Sequence, residues 1–465
     1  MSVSVQTSAA TVPLDASALP GRVVLPGDEG FDAARRSWNH LFSHQPAAVV
    51  YPQSTQDAVD AVSWARTAGL PLRVRSGGHC LEGWSTLDDG LVIDVSDLHS
   101  VSIDAENRTA TVGAGVSQAA AVAALGAAGF AAPTGTEGSV GLVGATLGGG
   151  FGLLTRAFGM ACDNLLAAEI VVASAHGAEA ITVDADHHVE LLRALRGAGN
   201  GSFGVVTSLT FAVHPLARVA SVTVTWPGLD ALAEVFDLWQ RSAPFADERL
   251  TSQLEINRGS MVLFAVLASG DEREALRMLE PLLAIGSPDV ATTDAPWPET
   301  YQGFQVPLGE EPANWKFASQ FVTEPFPPEA IAVIRSFLAG APTDGCNYFT
   351  NAFGGVVATS EPHGGSAFAH RDALFYAEPG AGWGVRGGVG APDDPLTPVC
   401  LAWVAAFAAA LEPFTNGAYP NVPNAGAVSW AMDYWGPDVA RLSAVKRAYD
   451  PTDVFRFPQS VPPSA

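Results

Sequence analysis

The chain has 465 residues, with 24 Lys and Arg against 48 Asp and Glu, so its formal net charge at pH 7 is −24. Nucleic acids and anionic membranes attract clusters of Lys and Arg, so this acidity excludes both as expected partners. Hydrophobic residues make up 48% of the chain, including 23 Phe and 11 Trp, which excludes a disordered protein.

Cysteine usage and hydropathy indicate the compartment. The four cysteines, Cys80, Cys162, Cys346 and Cys400, form no CxxC pair, so we expect neither a zinc site nor a disulfide framework. The N-terminus has no signal-peptide pattern, and no run of 18 apolar residues free of Gly, Pro and charge occurs. We therefore expect a soluble, cytoplasmic protein without a membrane span.

The first 30 residues are polar and rich in Pro and Gly, which favours a surface arm. Residues 47–52 (AAVVYP) follow as a strand, and residues 54–69 as a helix with Ser54 as N-cap and Gly69 at its end. Residues 71–79 (PLRVRSGGH) then predict a strand that runs directly into a glycine turn. A strand, a helix and a strand within about 30 residues are typical of an α/β unit.

The next segments alternate between strands and an alanine-rich helix. We predict strands in GLVIDVSDL and ATVGAGV, a helix over 117–130, and strands in NLLAAEIVVA and SFGVVTSLTFAV, with a boundary at Pro215. Residues 135–152 are so rich in glycine that we expect neither regular helix nor strand there, since glycine weakens both. Their Val, Leu and Phe favour a buried loop whose backbone approaches a large, flat or anionic ligand.

From about residue 217 to 414, alternating strands such as SVTVTW, TSQLEINR and CNYFTNAF mix with helical stretches such as ALAEVFDLWQRSA. This composition predicts an α+β domain with an antiparallel sheet and helices on one face. The last 50 residues predict a helix, a turn and a terminal segment.

Several familiar motifs are absent or lack their context. Residues 199–204 (GNGSFG) match GxGxxG, but a strand-like stretch follows where a dinucleotide site needs a helix, so we interpret them as a glycine turn. There is no P-loop and no GxSxG elbow. His40 with His44, and His187 with His188, have no carboxylates at metal-ligand spacing, so we expect no metal site.

His79 follows two glycines at the end of a predicted strand, flanked by Arg73 and Arg75. The amides of such a turn can form an anion-binding nest, although a loop histidine without function fits the same pattern. The second glycine-rich stretch, 135–152, favours two loops that close on one large, phosphate-bearing ligand.

Four segments in this order carry a resemblance: RVRSGGHCLEGWS, GLVIDVSDL, GLVGATLGGGFGLLTRAFGMACDNLLAAEIVVA and GAGNGSFGVVTSLTF. They resemble the FAD-binding domain of berberine bridge enzyme-like flavoproteins, within the vanillyl-alcohol oxidase fold. AFAHRDALF and YDPTDVFRFPQSVPP resemble the substrate-domain HRD stretch and the C-terminal segment of that family.

The resemblance implies a two-domain α+β protein of vanillyl-alcohol oxidase type, with an FAD-binding PCMH-type domain and a substrate domain built on an antiparallel sheet. The expected parts are an N-terminal arm of the FAD domain (1–40), the FAD-binding domain (41–216), the substrate-binding domain (217–415) and a C-terminal segment (416–465) that returns to the FAD domain.

The resemblance also implies the cofactor site, with FAD bonded covalently from its 8α carbon to the His79 imidazole. The other expected FAD-binding residues are Arg75, Ser76, Gly77, Gly78, Cys80, Val140, Gly141, Gly144, Gly149, Gly150, Gly152, Gly204, Val205, Val206, Tyr419 and Asn421. Many relatives carry a second link through a cysteine that would fall near Gly141. This chain has none there, so we expect a single covalent link, with Cys80 as a weaker rival attachment site and Cys162 as a buried thiol.

The catalytic base does not carry over from the family. Relatives that oxidise sugars and alcohols use a tyrosine in a YxNY stretch, and here Val422 stands at that position in AYPNVPN. We expect a substrate-domain carboxylate instead, and Glu255 shares one strand face with Gln253. Glu255 in a solvated rim is the alternative, with Tyr419 and Tyr348 as the next candidates.

The predicted function is an FAD-dependent oxidase that transfers a hydride, or its equivalent, from a small organic substrate to flavin in bacterial secondary metabolism. By the same resemblance, the small Val140 beside the flavin favours dioxygen as the acceptor. Alternatives are an oligosaccharide or alcohol oxidase with a base other than tyrosine, and a flavin-retaining protein with a non-redox role. We expect a monomer or homodimer.

Overall fold

The computed structural model describes residues 16–307 and 309–464. Positions 1–15 of the expected N-terminal arm lie outside the described residues. The chain folds into two lobes, and the change from one to the other falls between residues 215 and 218, where the strands of the first lobe end and those of the second begin.

The first lobe contains β1 (Arg22–Val24), α1 (Phe31–Ala34), β2 (Ala48–Tyr51), α2 (Thr55–Ala68), β3 (Leu72–Arg75), β4 (Leu91–Asp94), β5 (Val101–Asp104), β6 (Thr109–Gly113), α3 (Gln118–Ala127), β7 (Phe130–Ala131), α4 (Leu142–Gly148), α5 (Thr155–Phe158), β8 (Leu165–Ser174), β9 (Gly177–Val183), α6 (Val189–Ala198), β10 (Val205–Ala212) and β11 (His214–Pro215). A four-stranded sheet has the order β1-β2-β4-β3, with β2, β4 and β3 parallel. A five-stranded antiparallel sheet has the order β5-β6-β10-β8-β9.

The second lobe contains β12 (Arg218–Pro227), α7 (Leu232–Ser242), β13 (Leu250–Asn257), β14 (Ser260–Leu267), α8 (Glu272–Leu283), β15 (Asp289–Pro296), α9 (Trp297–Gly303), β16 (Asn314–Phe317), β17 (Gln320–Val322), α10 (Pro328–Ala339), β18 (Gly345–Ala352), α11 (Val356–Thr359), β19 (Phe375–Trp383) and α12 (Leu396–Leu411). Its antiparallel sheet has the order β15-β12-β14-β13-β18-β19-β16, and β17 also pairs with β19. The predicted α+β class with an antiparallel sheet is confirmed.

The C-terminal segment returns to the first lobe through α13 (Trp430–Trp435) and α14 (Val439–Tyr449). The fully buried ammonium of Lys446 donates to Asp450 at 2.7 Å and to the carbonyl oxygen of Ser202 at 2.7 Å. Asp450 also accepts the backbone N–H groups of Val454 and Phe455. This buried network fixes the path of residues 450–461 along the first lobe.

Local sequence signals are reproduced at α2. The Ser54 hydroxyl accepts the Asp57 N–H at 3.2 Å, and Gly69 ends the helix in the left-handed conformation with φ of 65°. The expectation that residues 135–152 form no helix is wrong, because α4 lies within them. Leu142, Val143 and Leu147 bury an apolar face there, and this packing compensates for the poor helix propensity of glycine.

Among the described residues, one helical segment, Leu396–Phe414, is long and apolar enough by length and composition to cross a membrane, with 22% of it buried in the protein. The sequence prediction of no membrane span did not single out this segment. Its buried stripe, Cys400, Val404, Phe407 and Leu411, packs on the second lobe.

Candidate active site

A cavity of about 510 Å³ lies where the glycine-rich loops of the first lobe, the sheet of the second lobe and the C-terminal segment meet. Its wall comes from residues 72–85 after β3, residues 135–151 around α4, the loop 200–206, residues 311–317 before and in β16, Phe349 of β18, and residues 419–423 and 455–457. Ligand pockets commonly have this size and this mixture of apolar surface and few polar groups.

Two glycine loops meet at the cavity. A β-carbon on Gly77 would overlap the backbone nitrogen of Gly141, and a β-carbon on Gly141 would overlap the Ser76 hydroxyl. Gly78 adopts a positive φ of 71°, which favours glycine. Among the hydrogen bonds of the described residues, none uses the amide N–H of Gly77, Gly78 or His79, so these donors remain available to an anionic ligand.

The His79 side chain is held on two sides. Its ring stacks on Trp38 with centroids 4.9 Å apart and an interplanar angle of 23°. Its Nε2 lies 2.9 Å from the Ser139 hydroxyl, which itself donates to Glu137 at 2.6 Å. Burial and the positive charge of Arg386 lower the pKa of His79 to about 4, so the imidazole is neutral at pH 7.

The end of the cavity next to β3 carries positive charge. Arg73 and Arg456 both line it, and neither has an ion-pair partner among the described residues. The Arg73 Nε atom is buried without a hydrogen-bond acceptor. Trp84 and Phe457 lie nearby with ring centroids 5.9 Å apart. Two arginines, free amides and flat aromatic rings fit the diphosphate and adenine of FAD.

Tyr419 belongs to a polar network behind α4. Its hydroxyl accepts the Gly150 N–H at 2.7 Å and the Asn421 amide at 2.8 Å. Burial raises the pKa of the Tyr419 phenol above its ordinary value. Tyr419 and Asn421 therefore fix the glycine run next to the cavity from the C-terminal segment.

A tyrosine and a carboxylate on β19 form a second polar pair. The Tyr376 hydroxyl donates to Glu378, and burial, together with the charge of Glu255, raises the pKa of Glu378 to about 7. Glu378 is the cross-strand partner of Phe349, which lines the cavity. The Tyr376 ring lies 4.7 Å from that of Phe151, another lining residue. The pair therefore neighbours two lining residues without itself being part of the lining.

The predicted site residues divide into two groups. Those that line the cavity are Ser76, Gly77, Gly78, His79, Cys80, Val140, Gly141, Gly144, Gly150, Gly204, Val206, Tyr419 and Asn421. Those outside its lining are Arg75, Gly149, Gly152, Val205, Glu255 and Tyr348.

The residues outside the lining have other contacts. The buried Arg75 guanidinium donates to the Asp94 carboxylate at 2.5 Å and to the carbonyl oxygen of Ala34. Its side chain therefore anchors β3. Tyr348 is fully buried in the core between the second-lobe sheet and its helices. Glu255 lies on the same sheet face as Phe349 and accepts the Asn347 amide at 3.0 Å.

Sequence reasoning missed Tyr376, Glu378, Glu137 and Ser139. Tyr376 and Glu378 are two positions apart in a strand, so the period-two rule placed them on one face, but nothing in the sequence indicated which face meets the cavity. Glu137 and Ser139 lie in the glycine-rich stretch, where only the folded loop brings them to His79.

The chain is similar to known FAD-binding proteins. A family profile described as an FAD binding domain matches residues 46–177, and one described as berberine and berberine like matches residues 418–462. An uncharacterised FAD-linked oxidoreductase of Bacillus subtilis is 36% identical, covering 97% of this chain and 98% of the relative. The aclacinomycin-N/aclacinomycin-A oxidase of Streptomyces galilaeus is 27% identical over 93% of this chain and 88% of its own length.

A solved structure of a BBE-like protein from Arabidopsis thaliana has a TM-score of 0.84 and 26% identity, covering 95% of this chain and 98% of that chain. The shared fold and the similarity over the full length confirm the expected FAD-binding, two-domain fold. The chain is an FAD-linked oxidoreductase and belongs to the berberine bridge enzyme-like family.

Proposed function

We propose that this oxidoreductase is an oxidase that carries a covalently bound FAD on His79 and removes a hydride, or its equivalent, from a small organic substrate. FAD supplies the electron acceptor for that step, and dioxygen then takes the electrons. Residues 41–216 and 416–465 would hold the cofactor and residues 217–415 the substrate. The neutral imidazole of His79, at the cavity wall next to the Gly77 and Gly78 amides, supports this attachment site.

One observation carries the proposed chemistry: Glu378 has a pKa of about 7 and is the cross-strand partner of Phe349, which lines the cavity. A carboxylate whose pKa is near neutral accepts a proton efficiently from a substrate hydroxyl or amine. The bond from Tyr376 orients the carboxyl group. We therefore assign the base to a substrate-domain carboxylate, as the sequence analysis expects, and favour Glu378 over Glu255.

The other candidates have weaker support. Glu255 contributes charge next to Glu378 and is held by Asn347. The Tyr419 hydroxyl already accepts two N–H groups, and burial raises its pKa, which disfavours proton abstraction. Tyr348 packs against Phe407 with ring centroids 5.4 Å apart, on the helix side of the sheet.

The walls near the second lobe favour a flat, apolar substrate. Trp315 and Phe317 stack with ring centroids 5.2 Å apart, and both line the cavity with Phe349, Phe151 and Val422. Aromatic side chains bind planar rings through stacking and edge contacts. We propose an aromatic secondary metabolite as substrate, in a tailoring oxidation, since the aclacinomycin oxidase is among the relatives.

The experiment is anaerobic flavin reduction with a panel of aromatic alcohols, aromatic amines and oligosaccharides. Loss of the flavin absorption band with an aromatic donor, followed by its return and hydrogen peroxide release in air, is the expected result. Glu378→Gln should slow reduction by about 10²–10⁴-fold, with Glu255→Gln as the matched control. Reduction by oligosaccharides alone would contradict the substrate class, and no reduction by any donor would favour a non-redox role.

The attachment has its own measurement. Acid-precipitated protein should stay yellow, and a proteolytic peptide that contains His79 should carry the mass of FAD. His79→Ala should release all flavin on precipitation, whereas flavin on a cysteine peptide such as that of Cys80 would contradict a single histidyl link.

A further inference from the structure

The hydroxyl of Ser139 and the carboxylate of Glu137 form a chain that ends at the His79 imidazole. The Glu137 carboxylate accepts the Ser139 hydroxyl proton at 2.6 Å and the Ser139 backbone N–H at 3.1 Å. Because a carboxylate has no proton to donate, the Ser139 oxygen has only its lone pairs left for the ring of His79. The 2.9 Å contact with Nε2 is therefore donated by the imidazole.

This donation fixes the tautomer of His79. A neutral imidazole carries one N–H, and placing it on Nε2 leaves the lone pair on Nδ1. Trp38 stacks on the ring and limits its rotation out of that plane. The hydrogen bonds from His79 through Ser139 to Glu137 therefore present Nδ1 as a nucleophile in a fixed direction at neutral pH.

We propose that Glu137 and Ser139 are positioning residues for flavin attachment: they hold His79 as the Nε2–H tautomer, direct its Nδ1 to the 8α carbon, and accept the Nε2 proton. This inference rests on the covalent attachment proposed above. Among the hydrogen bonds of the described residues, the side chains of Glu137 and Ser139 connect to His79 and not to Glu378.

Attachment is a two-electron oxidation of the 8α methyl group. The Nδ1–C8α bond forms with the Nδ1 lone pair, and one C–H bond of the 8α methyl group and the Nε2–H bond break. The electron pair of the C–H bond and both protons pass to the isoalloxazine ring system, the Nε2 proton by way of Ser139 and Glu137. Dioxygen, the acceptor in the proposed function, takes up two electrons and two protons as hydrogen peroxide and restores the oxidised cofactor.

The test uses full-length protein purified from riboflavin-limited cells and then incubated with FAD. Flavin fluorescence that survives a denaturing gel measures attachment, and flavin absorbance of the native protein measures total bound FAD. We expect Ser139→Ala and Glu137→Gln to slow attachment, measured per molecule of bound FAD, by about 10- to 100-fold. Ser139→Thr, which keeps the hydroxyl, should attach FAD at close to the wild-type rate.

Glu106→Gln is the matched control, because this exposed carboxylate lies in the same lobe but outside the cavity lining. NMR of the purified flavin peptide should show substitution at Nδ1. Attachment by Ser139→Ala at the wild-type rate, or substitution at Nε2, would overturn the inference and leave the proposed function standing. Wild-type protein without acid-stable flavin would overturn both the attachment and this inference.

Discussion

At the scale of single residues, a substitution of Val140 tests whether dioxygen is the electron acceptor. Val140 lines the cavity directly before Gly141, where the two glycine loops meet. In the proposed function dioxygen approaches the cofactor at this point, so a larger side chain would fill space that dioxygen needs. We expect Val140→Leu to slow aerobic reoxidation by at least about tenfold, or ~1.4 kcal/mol of barrier, with little change in anaerobic reduction. Stopped-flow absorbance separates the two half-reactions, and equal slowing of both would indicate general damage to the site.

Glu378 gives a residue-scale prediction for stability. Its pKa is raised from 4.5 to about 7 in the folded protein, so folding favours the protonated form. The stabilisation is fully present below pH 4.5 and is lost as the pH rises through 7. Glutamine cannot ionise, so the melting temperature of Glu378→Gln relative to wild type should increase from pH 5 to pH 8, by about 1–3 °C.

The same ionisation should govern the rate. A base must be deprotonated, so anaerobic reduction should rise as the pH increases through about 7 and then reach a plateau. A wild-type profile that is flat between pH 5 and 9 would exclude Glu378 as the base and return attention to Glu255.

At the scale of secondary-structure elements, glycine at position 148 lets α4 pack closely against the C-terminal segment. A β-carbon on Gly148 would overlap the side-chain oxygens of Asn421 and Asn200, whereas one on Gly144 meets no protein atom within 4 Å. Gly148→Ala should therefore destabilise the protein by about 1–3 kcal/mol through overpacking.

Gly144→Ala is the contrasting variant on the same helix. Alanine favours helix, so the protein without cofactor should melt no lower than wild type, but the new methyl group would enter the cavity that Gly144 lines. We expect intact thermal stability with reduced flavin content. Thermal melts and the flavin-to-protein absorbance ratio check both variants, and equal losses of stability would contradict the difference in packing.

At the scale of the whole molecule, hydrogen bonds from the Arg156 side chain connect the two lobes. This fully buried arginine lies in α5 of the first lobe. Its guanidinium donates to the carbonyl oxygens of Pro244, Ala246, Asp247, Leu250 and Phe353, all in the second lobe. Burial lowers the pKa of Arg156 to about 10, against the opposing negative charges of Asp247 and Glu248, so the guanidinium stays ionised at pH 7.

Arg156→Met should cost at least about 3 kcal/mol, because it leaves several buried carbonyl groups without donors. The exposed Arg258, which pairs with Asp344, is the matched control, and Arg258→Met should cost no more than about 1 kcal/mol. Denaturant unfolding measures both, and similar midpoints for the two variants would show that Arg156 does not join the lobes energetically.

Features that depend on neighbours in the chain were readable from the sequence. The Ser54 cap, the Gly69 helix end and the strand that leads into the glycine turn at His79 all follow from local backbone preferences. The order of the glycine-rich segments likewise indicated the family and FAD. These signals are local because each is set within a few residues of the chain.

The tertiary structure alone decided where side chains from distant segments meet. In the folded protein Arg75 pairs with Asp94 and Tyr348 is buried in the core. Ser139 contacts His79 although the two residues are 60 positions apart in the sequence. The pairing of β18 with β19 also places Glu378 next to Phe349. The physical reason is that strand register and loop closure set these neighbours, and alternation within a strand gives two faces without indicating which one covers the cavity.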